Sequence, residues 1–159
     1  MKSLKSIIYR GGIAKFQLPS SWIEEYEPTG GGTFYEDKPD AGTLRINVVE
    51  FDKPPDDPTD TAHDFLSQVV NANSVKNLRN GLAVSHLTER KMENEQKLLV
   101  YTWQIGVCIT PAHFRLIIFT YTILAEHESN HDVKQEIAML DRSILEGEYP
   151  ATRGVLGKY

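Results

Sequence analysis

The chain of 159 residues carries one cysteine, Cys108, so no disulfide can close within it. No apolar run approaches the roughly 20 residues that a membrane-spanning helix needs. The N-terminal stretch MKSLKSIIYRGG has two lysines but only the apolar pair Ile7–Ile8, without the hydrophobic segment or small-residue cleavage site of a secretory signal. Asn-x-Ser/Thr acceptors are absent. These lacks set the expectation of a cytoplasmic protein. Basic clusters are missing as well. The formal net charge is −5, and Arg90–Lys91 with Lys97 flank a turn that also holds Glu93 and Glu95. That balance argues against phosphate binding and excludes nucleic acid as a partner.

Reactive motifs are equally scarce. There is no Gly-x-Ser-x-Gly elbow, and Cys108 lies in the apolar run Ile105–Ile109 with no basic neighbour to lower its pKa. Gly30–Gly32 has no following Lys-Ser/Thr and opens a strand instead of a helix, so it reads as a permissive loop and not a phosphate cradle. No cofactor is implied.

What the sequence does hold is pattern. Hydrophobic residues at 40% and charged residues at 25% suit one globular domain. Residues 13–51 are the most legible stretch: Ala14, Phe16 and Leu18 alternate, Pro19 stops the strand, and Trp22 follows in a corner. The glycine loop then precedes a strand at 33–36, and Leu44, Ile46 and Val48 share one face of a strand at 43–51. An earlier strand at 4–10 would reverse through Gly11–Gly12. Pro54, Pro55 and Pro58 make 52–60 an exposed connector. Its four aspartates lack the glycine bend and closing acid of a calcium loop.

From Thr61 the period becomes helical. Ala62, Phe65, Leu66, Val69 and Val70 form one stripe, Thr61 with Asp64 matches a capping box, and the helix fades near 71–74. His63 and Asp64 occupy its exposed face. Three long strands follow, at 82–92, 97–109 and 113–124, joined by links short enough only for hairpins. The last two are apolar on both faces and belong in the middle of a sheet covered on both sides. A second helix over 130–146 is capped by Ser129 with Asp132 and buries Val133, Ile137, Leu140 and Ile144. Residues 1–148 form one α+β domain: a largely antiparallel sheet of six to seven strands with two main helices. Residues 149–159 read as a tail.

Metal-ligating residues are thin. His127 and His131 have four-residue spacing, but the expected helix start between them breaks the shared face. His86 and His113 are single histidines in strands. Aromatics remain: Trp22, Tyr35, Trp103 and Tyr121 are the candidates for a binding surface, should a sheet face lack its cover.

The motif Phe16-x-Leu18-Pro19-x-x-Trp22, then a glycine turn and Gly42-Thr43-Leu44-x-Ile46-x-Val48, resembles the start of Mog1/PsbP-like domains. The order of elements is similar over roughly residues 4–146. The resemblance implies non-enzymatic adaptors, among them bacterial chaperones that cradle apolar effector segments in secretion. The resulting expectation is a bacterial protein-binding module: an adaptor, a secretion chaperone or an immunity-type protein, with another protein or a second copy of itself as partner. The alternative is an enzyme or small-ligand binder using a cleft near Gly30–Gly32.

Overall fold

The computed structural model describes residues 3–54, 56–70 and 74–151. Its strands are β1 (Leu4–Tyr9), β2 (Ala14–Pro19), β3 (Ile23–Tyr26), β4 (Gly32–Tyr35), β5 (Thr43–Asp52), β6 (Lys76–Asn77), β7 (Ala83–Glu93), β8 (Gln96–Thr110) and β9 (His113–Leu124). Two helices, α1 (Ala62–Val69) and α2 (His131–Leu145), complete the α+β architecture. Seven strands form one antiparallel sheet in the order β3-β4-β5-β9-β8-β7-β6, while β1 and β2 pair only with each other. The two strands with apolar residues on both faces, β8 and β9, sit at its centre, as that composition requires.

Period-two alternation divides each central strand between two covers. Leu99, Trp103, Ile105 and Val107 of β8 share a face with Ile117, Phe119, Tyr121 and Ile123 of β9; the β1–β2 hairpin and α2 pack on it. Phe16 of the hairpin meets Phe34 and Phe119 edge-on, at centroid distances of 5.7 and 5.1 Å. Leu140 and Ile144 of α2 are fully buried, and Val133 and Ile137 are partly so. The opposite face carries Phe114 and Leu116 with Ala83, and α1 covers them with Ala62, Phe65 and Leu66. Gly106 is the landing point of α1: a Cβ there would lie 3.2 Å from the carbonyl oxygen of Ala62 and 3.3 Å from Leu66. Burying each such Leu or Phe contributes roughly 1.5–3 kcal/mol.

Several local expectations shift. The corner after Trp22 continues into an edge strand, β3, which pairs Ile23–Tyr26 with Tyr35–Gly32. Two-residue β6 is unforeseen. Helix α1 begins behind Thr61, whose side chain accepts the Asp64 N–H at 3.1 Å. It ends at Val69; residues 71–73 lie outside the described residues. Helix α2 is capped by Asn130, not Ser129: Asn130 Oδ1 accepts the N–H groups of Asp132 and Val133 at 2.9 and 3.4 Å. A 3-10 turn at Ala125–His127 takes up the preceding residues and carries the chain past Ser129 before the helix can open. Tyr149, assigned by pattern to the tail, is 3% exposed. Its ring lies 6.2 Å from Phe119, and its hydroxyl donates to the carbonyl of Ile144 at 2.6 Å. Residues 152–159 lie outside the described residues.

Candidate functional site

The four aromatic candidates separate by face. Trp22 is 2% exposed and stacks on Tyr121 at 6.4 Å. Trp103 is fully buried, donating its indole N–H to Asp141 of α2 at 2.9 Å. Tyr121 donates to Glu136 of α2, and burial together with that carboxylate pushes its phenol pKa well up. Gly42 is what lets this hydroxyl reach α2, since a Cβ there would fall 2.2 Å from it. These three rings therefore tie α2 and the corner after β2 to the sheet; none is on a surface that a partner reaches. Tyr35 differs. It is half-buried on the face opposite the hairpin, with its hydroxyl on Glu25 of neighbouring β3 at 2.6 Å.

That face is incompletely covered. Helix α1 is eight residues long and reaches only the end holding Phe114, Leu116 and Gly106. Beyond it the register places, on the same face, Arg45, Asn47 and Val49 of β5, Ile118, Thr120, Thr122 and Leu124 of β9, and Leu98, Val100, Thr102 and Gln104 of β8. Val100 and Thr102 are buried, whereas Leu98, Ile118, Thr120, Thr122 and Leu124 around them are half-exposed and Val49 is 40% exposed. The result is a broad mixed platform, aliphatic and threonine side chains of β8 and β9 beside Gln104 and the exposed Arg45 and Asn47, with Tyr35 at one margin. No described helix other than α1 packs on it. A surface of this kind binds through area and shape, with hydroxyls on its margins.

The charged groups form a second constellation, on the hairpin side at the far end of β5 and β9. Cross-strand pairing sets Glu50 opposite Arg115 and Asp52 opposite His113. His113 holds Asp52 through Nδ1 and Glu50 through Nε2, both at 2.7 Å. The other oxygen of Glu50 accepts Arg115 Nε at 2.8 Å. Arg115 is 1% exposed and also donates to the carbonyl of Pro150 at 3.4 Å. The Asp52 carboxylate, and after it Glu50, lifts the His113 pKa above its ordinary value against the opposing effect of burial. An imidazole with both nitrogens on carboxylates is an ion-pair pin, with no lone pair left to take a substrate proton. Nothing marked His113 in the sequence, because its partners lie 61 and 63 residues away and meet it only once β5 pairs with β9.

The remaining sequence candidates are dispersed. Around Gly30–Gly32 the space is filled: the Arg10 guanidinium stands where a Gly30 Cβ would be, and Tyr9 accepts the Gly31 N–H at 2.7 Å. Positive φ values of 98° and 112° at Gly30 and Gly31 make that close wrap feasible. In the acidic connector, Asp57 accepts the N–H of Thr59 at 2.8 Å, an Asx turn. His127 lies in the 3-10 turn and His131 opens α2, so they share no helical face. His63 and Asp64 do approach, at 3.8 Å, although adjacent helix positions diverge; both stay largely exposed at the helix entry. Burial raises the Cys108 thiol pKa, the reverse of an activated nucleophile. No group of three or more His, Cys, Asp or Glu among the described residues is arranged to hold a metal ion. No helix among them is long and apolar enough to cross a membrane.

No protein-family model matches the chain, and no curated protein matches its sequence. Solved structures do. LpqN of Mycobacterium tuberculosis, involved in cell envelope biogenesis, superposes with a TM-score of 0.62 at 11% identity over 93% of this chain and 91% of its own. A Bacteroides thetaiotaomicron protein superposes with a TM-score of 0.61 at 17% identity over 94% of this chain. The chain spans about half, 49%, of that protein's length. The likeness is one of fold.

Proposed function

We propose that the chain is a non-enzymatic protein-binding module whose partner lies on the sheet face that α1 leaves open. The observation that carries this reading is the asymmetry of cover: a hairpin and a four-turn helix close one face, while one short helix closes only an end of the other. Membership of the Mog1/PsbP-like superfamily belongs to the same proposal and gives the role its shape, as an adaptor, secretion chaperone or immunity-type protein. The condition of the reactive groups supports it, since His113 is held between two carboxylates and the Cys108 thiol is pushed up. Fold likeness to LpqN adds a second setting to the cytoplasmic one expected from sequence, and cell fractionation decides between them; recovery with the envelope overturns the cytoplasmic expectation.

The test is a matched set of surface substitutions in the full chain. Val49→Glu and Leu98→Glu place charge on the platform, while Ile8→Glu does so on the outward side of the hairpin, where Ile8 is 60% exposed. All three should unfold within a few degrees of the parent, because surface changes usually stay within about 0.5 kcal/mol. Co-purification with cross-linking should lose its partner with the first two variants and keep it with the third. Equal retention by all three, or loss with Ile8→Glu alone, removes the platform from the reading.

A further inference from the structure

Strand β6 is two residues long and pairs only with Ala83 and Val84. From His86 to Met92 the outer side of β7 has no neighbour in the sheet among the described residues. The hairpin geometry fixes which backbone groups this edge presents. Asn94 and Glu95 have φ values of 50° and 65°, a two-residue turn closed by the pair Glu93–Gln96. Such a turn is closed by a pair that exchanges both hydrogen bonds, so the odd-numbered residues of β7 bond to β8. The N–H and C=O groups of His86, Thr88, Arg90 and Met92 therefore point outward.

We propose that two copies of the chain join edge to edge through β7, antiparallel and centred on Glu89, into one continuous sheet. A twofold axis perpendicular to the sheet keeps like faces together, so opposed residues must share parity. Centring on Glu89 sets His86 against Met92 and Thr88 against Arg90, and every outward residue finds a partner. A shift of two residues in either direction sets Met92 against Val84, already paired with Lys76, or His86 against Asn94 in the turn. Exposed edges are commonly guarded by lysine. Here Lys91 is matched by Glu89 at 3.8 Å, and Arg90 is drawn to Glu128 at 2.7 Å. Across the axis the two Glu89 side chains oppose each other, a like-charge pair that weakens the contact, and the Lys91 of each copy, diagonal to the Glu89 of the other, offsets it so that the quartet carries no net charge. The interface is small and self-association correspondingly weak. Its consequence is a platform doubled on one side of the dimer, although the pairing stands whether or not that platform has a partner.

The register can be read by disulfide trapping of the purified protein in a Cys108→Ala background. Opposed residues of a non-hydrogen-bonded antiparallel pair have Cα atoms about 4.5 Å apart, within disulfide reach. Glu89→Cys should cross-link to itself under mild oxidation. Leu87→Cys alone should not, but mixed with Lys91→Cys it should give the mixed dimer. Sedimentation of the unmodified chain at rising concentration should show reversible dimer. Thr88→Pro should abolish it without changing the circular dichroism, because β7–β8 pairing makes no use of that N–H. A chain that stays monomeric while Glu89→Cys fails to cross-link overturns the proposal, as does efficient self-cross-linking of Leu87→Cys, which belongs to another register.

Discussion

At the scale of single residues, His113 makes the sharpest energetic statement. Its imidazole bridges Asp52 and Glu50, and the folded state therefore holds its proton more tightly than the unfolded chain does. A group whose folded pKa is raised adds stability that is fully present below the ordinary imidazole value of 6.5 and is lost as pH rises through the folded pKa. The wild-type advantage over His113→Gln in urea unfolding should thus be largest near about pH 5 and shrink toward about pH 9. An advantage that stays flat across that range would mean that the two carboxylates are held without the proton. Half-exposure of the ring limits the size of the effect, because water screens both pairs. No sequence pattern announces this residue. A histidine in a strand acquires its character from the neighbouring strand, and β5 precedes β9 by the whole length of α1, β6, β7 and β8.

At the scale of elements, local rules worked where the deciding interaction is local. Hydrophobic stripes placed both helices, and Thr61 caps α1 through a bond three residues long. The entry of α2 shows the limit of such rules. Ser129 and Asn130 are both good caps, the Asp132 N–H standing at the third helical position after the first and the second after the other. The choice falls to backbone conformation: Asn130 is extended, at φ −65° and ψ 129°, while the preceding 3-10 turn brings the Asn130 N–H onto the carbonyl of His127 at 3.0 Å. Asn130→Ala should therefore cost about 1 kcal/mol in denaturant unfolding, and Ser129→Ala only a few tenths. Reversed magnitudes would move the helix entry back to Ser129. Strand β6 escapes detection, and β3 is legible only as a solvated strand edge at Glu24, Glu25 and Glu27, for a different reason. Ile-Glu-Glu-Tyr and Lys-Asn have no alternation to detect, and they are strands only because β4 and β7 offer them backbone partners.

At the scale of the whole molecule, alternation carried the sheet but not the placement of its covers. Two-sided apolarity in β8 and β9 foretold a sheet packed above and below, and both central strands are there. What it left open was how much of each face is packed, since Val, Ile and Thr suit a half-exposed strand as well as a buried one. The aromatic clue misled for the same reason. Trp22, Trp103 and Tyr121 are large and amphipathic; Trp103 and Tyr121 turned their polar tips to partners inside the fold and Trp22 stacks on Tyr121, while Tyr35 alone stayed at the surface. The two covers also differ in strength. The cluster beneath the hairpin and α2 joins residues from nearly every element, whereas that beneath α1 is small and depends on Phe65, Leu66, Phe114 and Leu116. Stability should follow that division. Native-state hydrogen exchange should show amides of α1 opening below the global unfolding free energy, with β8, β9 and the C-terminal half of α2 opening only on global unfolding. Leu66→Ala should widen the gap, lowering the opening free energy of α1 by about 2–5 kcal/mol while shifting the central strands less. If α1 instead exchanged together with β8 and β9 in both proteins, the two faces would form a single cooperative unit, and the open platform would be as rigid as the core behind it.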